Sequence, residues 1–490
     1  VSDRQVSDGL ASGRRVIVVG GGLAGITAAL DCAVGGAAVT LLESRGRLGG
    51  QAYSFTRDEI TVDNGQHVFL RCCTDYRAFV ERIGAGEMIT LQDRLDITVL
   101  GKDGGRLQRG RLNRTRLPAP LHLAGALLRY PFLSWRQRVS AAAAMTALGR
   151  VDVEDPANDA RTFGDWLRAH GQDAAATEAL WDLITRPTVN LSCEEASLAQ
   201  AAYVFQEGLL SSASAGDLGH AGVPLSEIHD VAAGDALRRA GVKVRLRTGV
   251  AAIEPGFTVR LGGSSPETLD ADAVVLAVGP ERMARLIPDG AGVAPDSLRA
   301  LGESPIVNVH VVYDRPVLDV PFAAGVRTPI QWIFDRTQSA RVSRGQYLVV
   351  TLSAADEELA MASEAVLDRY LAALASLLPV AARGAQVLRA FVTRDHGATF
   401  RAAPGQRALR PAARTALPGL ALAGAHTDTG WPATMEGAVR SGHAAARVTL
   451  ETLDRPATAP VPLKEHAAAG RITHAAGFQT RPDLEQRRIA

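Results

Sequence analysis

The chain has 490 residues, 47% of them hydrophobic and 21% charged, and its 53 basic and 52 acidic side chains leave a formal net charge of +1. That length asks for more than one lobe, and the charge balance excludes a bulk electrostatic attraction to nucleic acid. The chain lacks the ~18-residue uncharged apolar run of a membrane span, and its cysteines (Cys32, Cys72, Cys73, Cys193) include no C-x-x-C pair, so reduced thiols in a cytoplasmic protein are expected and no metal site is.

Residues 1–13 lack the apolar core of a secretory signal and read as a loose, disordered leader. The stretch RRVIVVGGGLAGITAALDCAVGGAAVTLLES, from Arg14 to Ser44, then reads as strand, glycine turn, helix and second strand. Val16 to Val19 form the continuous β-branched run of a parallel strand covered on both faces. Gly20, Gly22 and Gly25 give G-x-G-x-x-G: a tight turn, a close approach to a pyrophosphate, and helix-to-strand packing. Helix N–H groups at Leu23 and Ala24 would face the phosphates. Glu43 ends the second strand 18 residues after Gly25, where a carboxylate accepts both hydrogen bonds of an adenosine ribose diol.

SRGRLGGQAYSF follows directly, bringing Ser44, Arg45, Arg47, Gly49, Gly50 and Gln51. A second glycine doublet beyond the ribose-binding Glu serves no purpose for NAD and points to FAD, whose pyrophosphate and ribityl chain run further. VDNGQH places Asp63, Gly65, Gln66 and His67 in a tight turn that brings backbone against a flavin face. His67 is a candidate proton donor there, set against a purely structural role.

Residues 106–224 and 301–384 interrupt the cofactor-binding pieces and are assigned to a substrate domain, the first stretch mainly helical. Five arginines between Arg106 and Arg116 precede the amphipathic LHLAGALLRYPFLSW. That combination fits peripheral docking on the inner face of the cell membrane, and equally a solvated loop before a core helix. Asn190 could bond a hydroxyl or cap a helix. GVKVRLRTGVAAIEPG reads as strand, turn, strand, with the Val250 backbone offered to adenine, and ADAVVLAVGP as a buried strand returning to the first sheet. No second G-x-G-x-x-G appears, so an external electron donor is expected.

GLALAGAHTDTGWPATMEGAVRSGHAAARV closes the pattern. Leu420 to Ala423 form a strand, Gly424 its turn, and a helix from Met435 presents its positive end to the flavin pyrimidine. Ala425, Thr434 and Met435 are candidate cofactor contacts, and Asp428 a second candidate catalytic residue. The tail, 457–490, is Ala-, Pro- and Arg-rich without periodicity and reads as disordered.

With LGGQAYSF at 48–55, TVDNGQHVFL at 61–70, LPAPLHLAGALLRYPFLS at 117–134, GVPLSEI at 222–228 and HTDTGWPATMEGAVRSG at 426–442, the chain resembles the amine-oxidase/phytoene-desaturase superfamily. More narrowly, it resembles the hydroxysqualene dehydroxylase branch over residues 14 to 452. The resemblance implies an α/β protein: a Rossmann-type FAD-binding domain of the glutathione-reductase/amine-oxidase kind (14–105, 225–300, 385–455) with an interleaved α+β substrate domain. It implies reductive removal of the hydroxyl of a lipophilic C30 substrate, hydroxysqualene, in squalene and hopanoid formation beside other enzymes of that pathway. Two positions depart from the superfamily: Gln51 stands where Arg is usual after the second glycine doublet, and Ala425 where an acid is usual after the C-terminal Ala-Gly. A carotenoid-type desaturase, an amine oxidase and a non-catalytic isoprenoid-binding protein are the alternatives.

Overall fold

The first strand spans Arg15–Val19, with Val16 to Val19 buried, and sits at the centre of a five-stranded parallel sheet. The spatial order is Lys243–Arg245, Ala38–Leu42, Arg15–Val19, Ala273–Leu276, Leu420–Leu422. Segments from both ends of the chain are thus neighbours: Val16 to Val19 register with Ala273 to Leu276, which register in turn with Leu420 to Leu422. This computed structural model describes residues 14–103, 105–263, 267–378 and 384–454. The leader 1–13 and the tail 457–490 lie outside those residues.

The first helix, Leu23–Val34, packs along the last, Met435–Leu453. A Cβ at Gly442 would lie 2.4 Å from the Ala24 carbonyl oxygen. The small residues on the late helix are therefore what lets the two backbones touch. Thr434 caps that helix, its hydroxyl accepting from the Gly437 N–H at 3.1 Å.

A seven-stranded sheet forms the second layer, in the order Val387–Thr399, Ser304–Tyr313, Gln346–Ser353, Trp332–Asp335, Phe322–Val326, Asp96–Asp103, Arg106–Asn113. The strands at 96–103 and 387–399 belong to this sheet, so it draws on the ends of the segments 14–105 and 385–455 that the sequence assigns to cofactor binding. Residues 96–103 pair in parallel with Phe322–Val326, a partner far along the chain that no local pattern reveals.

Between 121 and 210 the chain is mainly helical. The LHLAGALLRYPFLSW stretch forms two helices rather than one, Ala124–Arg129 and Trp135–Leu148. Tyr130 turns extended before Pro131, which disfavours helix at the residue preceding it. Ser134 and Gln137 then close a reciprocal capping box.

The two layers are joined by buried charge. Asp63 accepts from the Arg336 guanidinium at 2.8 Å, from the Leu225 N–H at 3.0 Å and from the Ser54 hydroxyl at 2.6 Å. Asp217, fully buried, takes both Arg71 and Arg114. All four cysteines are free thiols.

Candidate functional site

The glycine turn holds its shape because nothing larger fits. Gly20 has φ +111°, and a Cβ on Gly25 would lie 1.9 Å from the Gly20 carbonyl oxygen. Gly22 differs: its φ is −78°, and a Cβ there would meet nothing closer than the Gly50 Cα at 3.6 Å. The space beside Gly22 is the floor of a cavity of 1020 Å³, at the upper end of the ~300–1000 Å³ usual for small-molecule sites.

Every expected cofactor contact lines this cavity except Gly25 and Val250. Gly25 lies beneath the turn, packed on Gly20 and Ala277. Val250 is a buried strand residue whose carbonyl accepts from the Arg282 guanidinium, so Arg282, not Val250, reaches the lining. The adenine contact expected of the Val250 backbone is thus not a contact of the cavity wall, and Arg282 stands between the two.

The residues fit a dinucleotide. Glu43 is held at the end of its strand by the Gly21 N–H on one oxygen and the Arg45 N–H on the other, both at 2.7 Å. Arg47 donates to the Leu48 and Gly50 carbonyls and stacks over the Tyr53 ring at 3.4 Å, while its Nη2 is buried without a partner. An unmet guanidinium donor inside a glycine cradle suits a phosphate oxygen. Burial lowers the Arg47 pKa, an effect an anion would offset. The segment carrying Gly49 and Gly50 is pinned from below: Leu48 N–H donates to Asp230, and the His229 ring bridges the Ala52 carbonyl and Tyr76.

The two departures have distinct outcomes. Gln51 donates to the Gly397 carbonyl at 2.6 Å, tying the cofactor segment to the second sheet. Ala425 leaves its place empty of charge, and Arg410 takes over the loop. Its guanidinium donates to the carbonyls of Ala425, Thr427 and Trp431 and, at 3.4 Å, to that of His426. Burial lowers the Arg410 pKa to about 10, so it stays cationic at neutral pH.

Of the two expected catalytic residues, only His67 lines the cavity. Its Nδ1 lies 3.0 Å from the Gly65 carbonyl oxygen, which makes Nδ1 the protonated nitrogen and leaves Nε2 an acceptor. Burial lowers its pKa, so the neutral ring is favoured over the acid form. Asp428 is exposed and does not line the cavity, so it is not placed to act on a bound substrate. The Arg410 clamp holds the carbonyls on either side of it and leaves its side chain outward. Asn190 sits at a helix C-terminus with φ +55°; its amide donates to Ser304 and Thr399 and accepts from the Ala354 N–H. With those partners it is a structural latch and not a free hydroxyl ligand.

Sequence reasoning missed Glu207 and Tyr203. Glu207 lines the cavity half-buried, and its carboxylate makes no hydrogen bond or ion pair among the described residues. It is the second residue of a five-residue π-helical turn, Gln206–Leu210, that continues the helix Leu198–Phe205. Tyr203, one turn earlier, stands edge-on to Trp431 with ring centroids 5.5 Å apart. No motif marks a π turn; the signal available was a lone acid in an otherwise apolar helix.

A model of flavin-containing amine oxidoreductases matches residues 23–450. The chain belongs to that family. It is an FAD-dependent oxidoreductase of α/β fold, as the glycine cradle and Glu43 require. Among relatives in this flavin family, the hydroxysqualene dehydroxylase of Rhodopseudomonas palustris is 29% identical over 89% of this chain and 98% of its own. The probable zeta-carotene desaturase of Synechococcus elongatus is 26% identical over 89% of this chain and 98% of its own. The structure of cyclohexylamine oxidase from Brevibacterium oxydans superposes with a TM-score of 0.66 at 17% identity, over 90% of this chain and 100% of that one, a likeness of fold alone.

The buried histidines give a pH prediction. Burial lowers the pKa of His229 and His310 from 6.5 to about 3, and that of His426 to about 4. A depressed folded pKa contributes stability above the unfolded value of 6.5 that is lost as pH falls. At pH 5 each such histidine costs about 2 kcal/mol, because the unfolded chain binds a proton the folded one refuses. Denaturant titration at pH 7 and pH 5 should therefore show stability falling steeply with acid, and His310→Gln should flatten that slope. An equal slope in the variant counts against it.

Proposed function

We propose that the protein reduces hydroxysqualene to squalene, removing an allylic hydroxyl as water. The observation that supports this most is the composition of the cavity beyond the glycine cradle. Its wall there is built from Leu95, Ile97, Leu112, Leu180, Leu183, Phe322 and Trp332, with Glu207 as a carboxylate that has no hydrogen-bond or ion-pair partner among the described residues. The reaction has three needs: a proton for the departing oxygen, a hydride for the carbon, and shelter of the developing cation from water. FAD in its reduced form supplies the hydride. The apolar wall excludes water, and the faces of Tyr203 and Trp431 offer π density to a cation.

Glu207 carries the proton to the hydroxyl in this reading. His67 is the weaker choice, since its Nδ1–H is committed to Gly65 and its Nε2 can only accept. The likeness to hydroxysqualene dehydroxylases along nearly the whole chain agrees with this substrate, and the likeness to carotene desaturases agrees with a long isoprenoid in general.

The test supplies FAD-loaded protein with three substrates. Hydroxysqualene with chemically reduced flavin under anaerobic conditions should yield squalene, with one deuterium at the former carbinol carbon when the reaction is run in D2O, which keeps deuterium on the exchangeable flavin N5. Phytoene and a simple amine, each with oxidised flavin, should be left unchanged. Conversion of phytoene without conversion of hydroxysqualene reassigns the protein to desaturation, and amine oxidation alone reassigns it to that reaction.

A further inference from the structure

Five large apolar side chains that the fold leaves in water fall within a single short stretch: Leu117, Leu121, Leu128, Trp135 and Val139, each between 52% and 69% exposed. They belong to the two helices Ala124–Arg129 and Trp135–Leu148 and the chain leading into them. Arg138 ties the second helix to the first, its guanidinium donating to the Leu128 carbonyl and, at 2.9 Å, to that of Leu133 in the connection. Exposed apolar groups gathered this way mark an interaction surface.

The same helices form a mouth of the cavity. Pro120, Leu121, Ala124, Ala142 and Thr146 line it and are also exposed to solvent. The apolar patch therefore surrounds an opening and does not lie on a remote face.

Charge identifies what covers it. Between Asp103 and Asp152 the chain carries no acidic residue and nine arginines. The strand arginines that the sequence offered as the basic run are mostly spent: Arg109 pairs with Asp319, Arg111 with Asp96 and Arg114 with Asp217. The exposed Arg116, Arg129 and Arg136, set among the apolar side chains, make no ion pair with the described residues. Asp173, the acid bonded to this face, caps the helical turn at Ala176 and accepts from Gln137. Apolar side chains interleaved with unpaired arginines match the acyl and headgroup layers of an anionic membrane surface. No helix among the described residues is long and apolar enough to cross a membrane, so the contact is peripheral.

We propose that the helices Ala124–Arg129 and Trp135–Leu148 dock on an anionic lipid bilayer, so that the cavity opens into the lipid and takes its substrate from there. This rests on the reading of the cavity as an isoprenoid site, and the experiment separates the two. FAD-loaded full-length protein is sedimented with phosphatidylcholine vesicles, with and without phosphatidylglycerol. Binding should require the anionic lipid and weaken with salt. Arg129→Ser and Arg136→Ser should each lower partitioning about fivefold, and Leu128→Ser with Val139→Ser by about tenfold or more. FAD content should stay at the wild-type level in all of them. With substrate in detergent micelles these variants should turn over as wild type does, and with substrate in vesicles they should fall behind.

Vesicle binding without conversion of hydroxysqualene upholds the docking surface and overturns only the substrate. Wild-type protein left in the supernatant with both vesicle types overturns the docking. So does partitioning that the four substitutions leave unchanged. A wild-type dimer that the serine variants make monomeric, without vesicle binding, shows a contact between copies of the chain and likewise overturns it.

Discussion

Gly22→Val should give a folded, colourless protein. Gly22 has extended backbone that any residue adopts, and a Cβ there meets only ordinary contact distance at Gly50. The branched side chain thus fits the protein but fills the space where the pyrophosphate must approach. FAD affinity should fall about a hundredfold or more, the equivalent of ~3 kcal/mol. The melting temperature of the variant should match that of wild-type protein stripped of FAD, because only the ligand's share of stability is lost. Gly25→Val is the contrasting case: its Cβ would lie 1.9 Å from the Gly20 carbonyl oxygen, so the turn itself must deform. That variant should be destabilised by several kcal/mol or fail to fold. The flavin-to-protein absorbance ratio and a melting curve decide both, and a yellow Gly22→Val protein with full occupancy sinks the geometry.

Glu207→Gln should lower kcat on hydroxysqualene by about 10²- to 10⁴-fold, the range a positioned proton donor contributes. The amide keeps the size and the hydrogen-bonding reach of the carboxyl group and removes only its exchangeable acid proton. FAD content and KM should therefore stay close to wild type. Glu207→Asp, shorter by one methylene, should recover part of the rate. His67→Gln should cost less than tenfold, since the ring already gives its proton to Gly65. Stopped-flow oxidation of reduced flavin with saturating substrate measures all three. Full activity in Glu207→Gln removes the residue from the reaction, and a larger loss in His67→Gln would return the role to the histidine.

Much of the cofactor half was legible because its signals are local. A β-branched run, three glycines at fixed spacing and a terminal Glu each state a backbone requirement within a few residues. The late strand at Leu420 and the capped helix from Met435 were legible for the same reason. The failures involve partners far apart in sequence. Nothing near residues 96–103 shows that they pair with Phe322–Val326. Asn190 reads as a helix start, yet its αL conformation at a helix end is set by Ser304, Thr399 and Ala354. Asp428 sits in the right motif, but its outward turn follows from Arg410 and the carbonyls around it. Glu207 was invisible because a π turn is chosen by packing and not by composition. The basic run of 106–116 misled, because strand pairing and distant carboxylates consume most of it.

Arg410 also bears on how quickly the cofactor can leave. The loop over the site is gathered on one cation buried to 7% exposure, which bonds carbonyls from Ala425 to Trp431 and forms no ion pair with a carboxylate among the described residues. Such a knot does not loosen one bond at a time, since freeing a single carbonyl leaves the guanidinium tied by the others. Opening should therefore be an all-or-none, sub-global event of the kind seen in slow amide exchange. FAD residence time would then be governed by this clasp more than by the strength of any single contact to the dinucleotide. A protein that lacks the usual acid at position 425 could in this way hold its cofactor through many turnovers while binding it only modestly at equilibrium.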